Sequence, residues 1–326
     1  MRRPPSALSG VGTAAPLRAA FGEEKVDFID SRLSKRTSVL AQGANVVCLF
    51  VNDTCDEEVC AELAKQGVKL IAMRCAGFDR VDVAAAAKHG ITVVRVPSYS
   101  PHAIAEHAVA MLLALNRGIH KAYNRVREFN FTLNGLTGFE IHGKVVGIVG
   151  TGKIGTVTAQ ILCRGFGARL LAYDAYPNAE ITAMGGEYVS LETLLEQSDI
   201  ISLHCPLNKS TFHIIGADQI SRMKRGVVLV NTSRGGLLDT RAVIKALESG
   251  VIGGLCIDVY ENEGPLFFRD LSARKRGDRM KNWDEQIGVR MRFPCASCSL
   301  ILTPCFAATA IAAECARHAA QCLPDG

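Results

Sequence analysis

From residue 46 the chain alternates short apolar, β-branched runs with stretches whose apolar residues recur at helical spacing. VVCLFV (46–51), KLIAM (69–73) and TVVRV (92–96) read as strands, with helices near 56–66 and 81–89 between them. Strands that alternate with helices imply parallel βαβ units, because parallel neighbours need a crossover connection. A long helical pattern follows from Pro101 to about Arg127, with proline in the first turn, where its missing N–H costs nothing. It reads as one helix linking two domains. A second alternating series then predicts strands at KVVGIVG (144–150), RLLAYD (169–174), IISLHC (200–205), VVLVNTS (227–233) and GLCIDV (254–259), with helices at 153–164, 190–197 and 240–249. The charged, Arg-rich stretch 262–299 has no clear period and reads as a surface loop before LILTP (300–304) returns to the sheet.

These elements predict an α/β protein of two doubly wound parallel-sheet domains with a cleft between them. One domain is expected over 23–98 together with 305–326, the other over 99–304. Residues 1–22 hold three arginines, no acid and many small residues. They read either as a disordered arm, with the protein cytoplasmic, or as a transit peptide for a mitochondrion or plastid.

Composition narrows the function classes. At 326 residues with 48% hydrophobic and 21% charged residues, the chain has an ordinary globular composition and room for two cores. No apolar run reaches the roughly 18 residues of a membrane span. Part of the net charge of +5 lies in the amino-terminal arm and in SARKRGDRMK (272–281), without the aromatics or zinc spacing of a nucleic-acid module, so no nucleic-acid partner is expected. Several of the twelve cysteines (Cys48, Cys75, Cys163, Cys256) lie inside apolar runs and read as reduced core thiols. The single CxxC, Cys295 to Cys298, has no second pair at zinc spacing, and no metal is expected.

The strongest chemical signal is Gly150-Thr-Gly152-Lys153-Ile154-Gly155, set between a strand and a helix. In that context Gly150 permits a tight turn, Gly152 lets the backbone approach a pyrophosphate, and Gly155 lets helix and strand pack closely. The helix amino terminus favours the phosphate charge. Asp174 ends the next strand, 19 residues beyond Gly155, where a carboxylate accepts hydrogen bonds from ribose hydroxyls and repels a 2′-phosphate. The loop therefore points to NAD, a flavin or S-adenosylmethionine site being the remaining reading.

HCPL (204–207), NTSRGGLLD (231–239), DVYENEGPLFF (258–268) and RCAGFDRVD (74–82) together resemble the D-isomer-specific 2-hydroxyacid dehydrogenases over about residues 25–310. The resemblance implies a Rossmann NAD-binding domain, a flavodoxin-like substrate domain, a homodimer formed through the cofactor domain with the 101–127 helix as a contact face, and interconversion of a small 2-oxo acid with its D-2-hydroxy acid, D-lactate and pyruvate foremost. It assigns Arg234 to gripping the substrate carboxylate and polarising its carbonyl, a task suited to a planar, two-pronged donor. It assigns Glu263 to supporting the catalytic imidazole. Backbone N–H groups of Ala76 and Gly77 would bind the carboxylate, Tyr99 would close over the substrate, and His204, Cys205, Pro206, Thr232, Ser233 and Asp258 would line the cofactor side.

Two departures stand out. Ahead of Val26, where the family has a strand and helix, this chain has an Ala/Pro/Arg-rich arm, so the first strand–helix unit of the substrate domain is expected to be missing. After LILTP the chain reads Thr303-Pro304-Cys305, a thiol where the family has its proton-donating histidine. A thiol of ordinary pKa about 8.5 is a poor acid at neutrality, so turnover is expected to be impaired. The alternative is a catalytically weak NAD-binding sensor or interaction protein.

Overall fold

The computed structural model describes residues 26–29, 31–51 and 53–261, together with the backbone of the strand at 299–302. The chain divides into two compact units, with the change from one to the other between Ser100 and Pro101.

In the first unit, β1 (Val46–Leu49), β2 (Leu70–Met73) and β3 (Thr92–Arg95) form a parallel sheet in that order. Alternate residues of β1 and β2, among them Val47, Leu49, Ile71 and Met73, are buried. They pack against α1 (Glu57–Lys65) and α2 (Val83–Lys88) through Val59, Leu63, Ala85 and Ala86. Each helix starts where the sequence supplies a cap: Asp56 accepts from the Val59 N–H and Asp82 from the Ala85 N–H. Asp53 ties the turn after β1, accepting from the Leu33 and Phe50 N–H groups at 2.7 Å each. The expectation of a missing first strand–helix unit falls on residues outside the described ones.

The second unit opens with α3 (Pro101–Asn116) and α4 (Ile119–Arg127), then carries a seven-stranded, wholly parallel sheet. Its strands are β4 (Val145–Val149), β5 (Arg169–Tyr173), β6 (Glu187–Tyr188), β7 (Ile200–Leu203), β8 (Val227–Asn231), β9 (Ile252–Ile257) and β10 (Ser299–Leu302). Their spatial order is β10-β9-β8-β7-β4-β5-β6, so the order reverses beside β4. Both faces are covered. Val146 and Ile148 of β4 join a core with α3 and α5 (Lys153–Gln160), whereas Val149 joins a core with α7 (Leu191–Gln197) and α9 (Thr240–Ser249). Short helices α6 (Ala179–Ala183) and α8 (Ala217–Ser221) complete the connections.

The predicted single helix over 101–127 is corrected to two. Gly118 adopts a left-handed conformation (φ 56°), which separates the end of one helix from the start of the other. Asn116 secures the break: its side chain donates to the Phe139 carbonyl (2.7 Å) and accepts from the Phe139 N–H (2.8 Å). One face of α3 belongs to the second unit's core, with Ala108, Met111, Leu112 and Leu115 buried there, while His102, Ala103, Glu106 and Ala110 are exposed. The helix predicted at 153–164 forms, but as α5 continued by a π-helical turn over Ile161–Gly165.

Candidate functional site

The site is built at the carboxyl ends of β4, β5, β7, β8 and β9, where the strand order reverses and open α/β sheets bind their ligands. Gly150 follows β4 with φ 96°, and a Cβ there would lie 2.5 Å from the Cys205 backbone nitrogen. A Cβ on Gly155 would lie 1.9 Å from the Gly150 carbonyl oxygen. Turn, helix and the end of β7 therefore interlock only because both residues are glycine. Gly152 differs: a Cβ there would meet nothing within 4 Å, and no side chain caps α5. Open space in front of uncapped N–H groups at Lys153, Ile154 and Gly155 is the cradle that a pyrophosphate requires, so these residues fit a dinucleotide.

Asp174, directly after β5, is half-buried and held from within: Oδ2 accepts from the Thr151 N–H and hydroxyl, and Oδ1 from the Tyr176 N–H at 2.8 Å. Beyond β7, Ser202 Oγ and His204 Nε2 are 2.8 Å apart. Burial pushes the His204 imidazole down to about 4 and the Cys205 thiol up to about 11, so the first is neutral and the second protonated at pH 7. Pro206 is exposed.

His204 makes stability depend on pH. An unfolded histidine titrates near 6.5. Between that value and about 4 the unfolded chain binds a proton that the folded chain refuses, so stability falls as pH drops through this window. Urea unfolding should lose about 2–3 kcal/mol from pH 7 to pH 4.5 on this account, an upper bound because the residue keeps some solvent access. His204→Asn should flatten the profile by that amount; an unchanged slope would reject the assignment.

After β8 the chain turns sharply over Thr232-Ser233-Arg234. Fully buried Asn231 organises the turn, accepting from the Ser233 N–H (3.0 Å) and donating to the Arg234 carbonyl (2.9 Å). Ser233 Oγ donates to the Cys205 carbonyl (2.7 Å), joining the turns after β7 and β8. Among the described residues the buried Thr232 Oγ1 has no hydrogen-bond partner. Arg234 is half-buried, with one guanidinium nitrogen 2.9 Å from the Ser233 carbonyl. A Cβ on Gly235 would lie 2.0 Å from the Tyr260 carbonyl carbon, so the segment after β9 rests directly on the arginine turn. Buried Asp258 begins that segment and faces His107 of α3 at 3.6 Å. Glu261 anchors it, accepting from Thr240 Oγ1 (2.6 Å) and lying 2.7 Å from His213 Nε2.

The first unit supplies a separate set. Ala76 and Gly77 are half-buried after β2, and neither N–H donates to an acceptor among the described residues. Two such free donors in sequence suit a carboxylate. Arg95 holds the same turn by donating to the Ala76 carbonyl (2.8 Å). Tyr99 packs with Phe50 and Val96. Glu263 and Cys305, and the Cys295–Cys298 pair, lie outside the described residues.

Sequence reasoning did not single out Asn231, Glu261, Gly235, Thr151 or Tyr188. An asparagine closing the otherwise apolar strand VVLVN was a readable sign of a turn organiser. Nothing local marks Tyr188 or Glu261, whose partners are distant in sequence.

Strand order, glycine turn and terminal acid together define a dinucleotide-binding Rossmann domain. The match to known families goes further. Residues 109–279 match the NAD-binding domain of the D-isomer specific 2-hydroxyacid dehydrogenases, and residues 11–137 match the catalytic domain of the same family. The chain is 53% identical to the D-lactate dehydrogenase of Escherichia coli over 253 residues, 78% of this chain and 76% of that protein. A structure of the pyruvate reductase of Chlamydomonas reinhardtii superposes with a TM-score of 0.83 at 48% identity, covering 97% of this chain and 94% of that one. A D-lactate dehydrogenase from Aquifex aeolicus, solved with NAD and lactic acid, gives 0.83 at 30% identity, covering 97% and 93%. The chain belongs to the NAD-dependent D-isomer specific 2-hydroxyacid dehydrogenases.

Among the described residues no helix is long and apolar enough to cross a membrane, and no cluster of three or more His, Cys, Asp or Glu could hold a metal ion.

Proposed function

We propose that the chain reduces pyruvate to D-lactate, and reverses that reaction, with Arg234 as the substrate-gripping residue. The observation that carries this is the arginine turn itself, fixed by Asn231, by the Ser233 bridge to Cys205 and by the close approach of Tyr260 to Gly235. Bound NAD supplies the hydride acceptor, and NADH the donor. Arg234 then holds the carboxylate and draws electron density toward the ketone oxygen; in the first unit the Ala76 and Gly77 N–H groups and Tyr99 are proposed as substrate-binding groups. Gly150, Gly152, Lys153, Ile154 and Gly155 hold the pyrophosphate, Asp174 the ribose, and the turns at 204–206, 232–233 and 258 the remaining cofactor surface. Cys305 stands at the position that supplies the ketone oxygen's proton in the family, with Glu263 as the carboxylate that supports that position.

Purified protein mixed with NADH and pyruvate should consume NADH and yield lactate that only a D-specific reagent enzyme oxidises. L-lactate, or faster turnover of a bulkier 2-oxo acid, would overturn the substrate assignment. A second reading, an NAD-binding sensor with little turnover, draws on Cys305 standing where the family has a histidine. NADH binding without consumption of any 2-oxo acid would favour it.

The active form is proposed to be a homodimer joined through the exposed segment that follows α3. No residue of α4 is buried, and Phe129, Phe131 and Leu133 are 85%, 70% and 79% exposed, a concentration of apolar side chains that marks a contact surface. Light scattering on the eluted protein should give twice the chain mass, and Phe129→Asp with Phe131→Asp should give a monomer. A doubly substituted protein that remains dimeric would reject this face.

A further inference from the structure

We infer that Thr151 and Tyr188 act as a positioning pair for Asp174 and thereby set how strongly the enzyme prefers NAD to NADP. The inference rests on NAD being the cofactor and concerns residues that do not belong to the glycine pattern itself.

An ionised carboxylate offers about four acceptor sites, two on each oxygen. In Asp174, both sites of Oδ2 are filled from inside the turn, by the Thr151 N–H and by the Thr151 hydroxyl at 3.1 Å. Oδ1 receives the Tyr176 N–H at 2.8 Å. That leaves one acceptor site on Oδ1, fewer than the two-oxygen grip on ribose that a terminal strand acid suggests from sequence alone.

The proton directions behind Oδ2 are fixed. The Asn178 N–H donates to Tyr188 Oη at 2.7 Å, so the tyrosine's own proton must point elsewhere. Its near acceptor is Thr151 Oγ1 at 2.8 Å, the Asn178 carbonyl being 3.4 Å away. Thr151 Oγ1, taking that proton as acceptor, gives its own to Asp174. Each hydroxyl in the series Asn178, Tyr188, Thr151, Asp174 therefore donates toward the carboxylate. Thr151 is itself almost fully buried, and its carbonyl accepts from Thr156 Oγ1 at 3.0 Å while Asn178 Nδ2 donates to that same Thr156 oxygen at 3.0 Å. The two-residue strand β6 brings Tyr188 to this point by pairing with Ala172 of β5.

A carboxylate locked in this way presents one fixed, negatively charged acceptor. A ribose hydroxyl can donate to it. A 2′-phosphate brings charge of the same sign, and residues 175–180 (Ala, Tyr, Pro, Asn, Ala, Glu) contain no cation to receive it. If the Thr151 hydroxyl is removed, the Thr151 and Tyr176 N–H groups still hold one site on each oxygen, but the carboxylate is held less firmly, its remaining acceptor is aimed less well, and NADH loses binding that NADPH never had.

Direct fluorescence titration with NADH and with NADPH tests the pair, supported by the split between KM and kcat. Thr151→Val keeps the shape and removes the hydroxyl. It should weaken NADH binding about tenfold, the scale of one hydrogen bond to a charged group, while the NADPH constant moves less than about twofold. KM for NADH should rise in step while kcat stays. Tyr188→Phe should act in the same direction by about threefold, since Thr151 can still reach Asp174. Thr151→Ser should restore the parent's preference. Equal weakening toward both dinucleotides, no change in either, or failure of serine to restore the ratio would each overturn the inference. The parent's own NADH titration separately checks that the cofactor binds at all.

Discussion

Replacing Arg234 with lysine should lower kcat/KM for 2-oxo acid reduction by about 10²–10³-fold while leaving NADH affinity within about twofold. The magnitude follows from what a lysine cannot reproduce. A guanidinium forms two parallel charge-assisted hydrogen bonds in one plane, and each such bond contributes about 1.5–3 kcal/mol. An ammonium keeps the charge but not the paired geometry or its aim at the ketone oxygen. The loss should fall on kcat as well as KM, because polarising the carbonyl matters most as negative charge builds on its oxygen. Steady-state kinetics with pyruvate, beside a fluorescence titration with NADH, reads both quantities. A lysine variant that merely raises KM would demote Arg234 to a binding group. A variant with normal kinetics would remove it from the site.

That prediction depends on a turn whose components were unequally readable in the sequence. The Rossmann strands were legible because each is a short, nearly continuous apolar run, buried on both faces, bounded by turns. The glycine loop was legible because at Gly150 and Gly155 sterics admit only glycine: a Cβ at Gly155 would lie 1.9 Å from a carbonyl oxygen. Gly118 was equally present in the sequence but carries no such local signature. An isolated glycine inside a helical pattern is tolerated as often as it breaks one, and only the tie from Asn116 to Phe139 decides the break. The support for the site was the least legible part. Tyr188 lies 37 residues from Thr151, and Glu261 lies 48 from His213, distances at which no periodicity links one residue to another. Roles taken from a family motif attach to the residues that touch ligands. The groups that aim those residues become visible only when the fold brings them together.

Restoring the imidazole should have an effect of similar size in the opposite direction: Cys305→His is expected to raise kcat by about 10²–10⁴-fold, the usual contribution of a positioned general acid. Hydride arriving at the ketone carbon leaves negative charge on oxygen that only a proton can quench. A thiol of ordinary pKa, about 8.5, is mostly protonated at pH 7 but gives up its proton reluctantly, and a neighbouring carboxylate raises that value further. The same carboxylate acts on histidine in the useful direction. It lifts an imidazole from about 6.5 toward neutrality, where it is both populated as the acid and willing to donate. Cys305→Ala separates two routes in the parent. If the thiol donates, alanine lowers kcat further; if water does, alanine leaves it unchanged. The histidine variant should also acquire a fall in kcat for reduction above neutral pH that the parent lacks. A histidine variant no faster than the parent, with NADH still bound, would mean that position 305 is not where the proton enters.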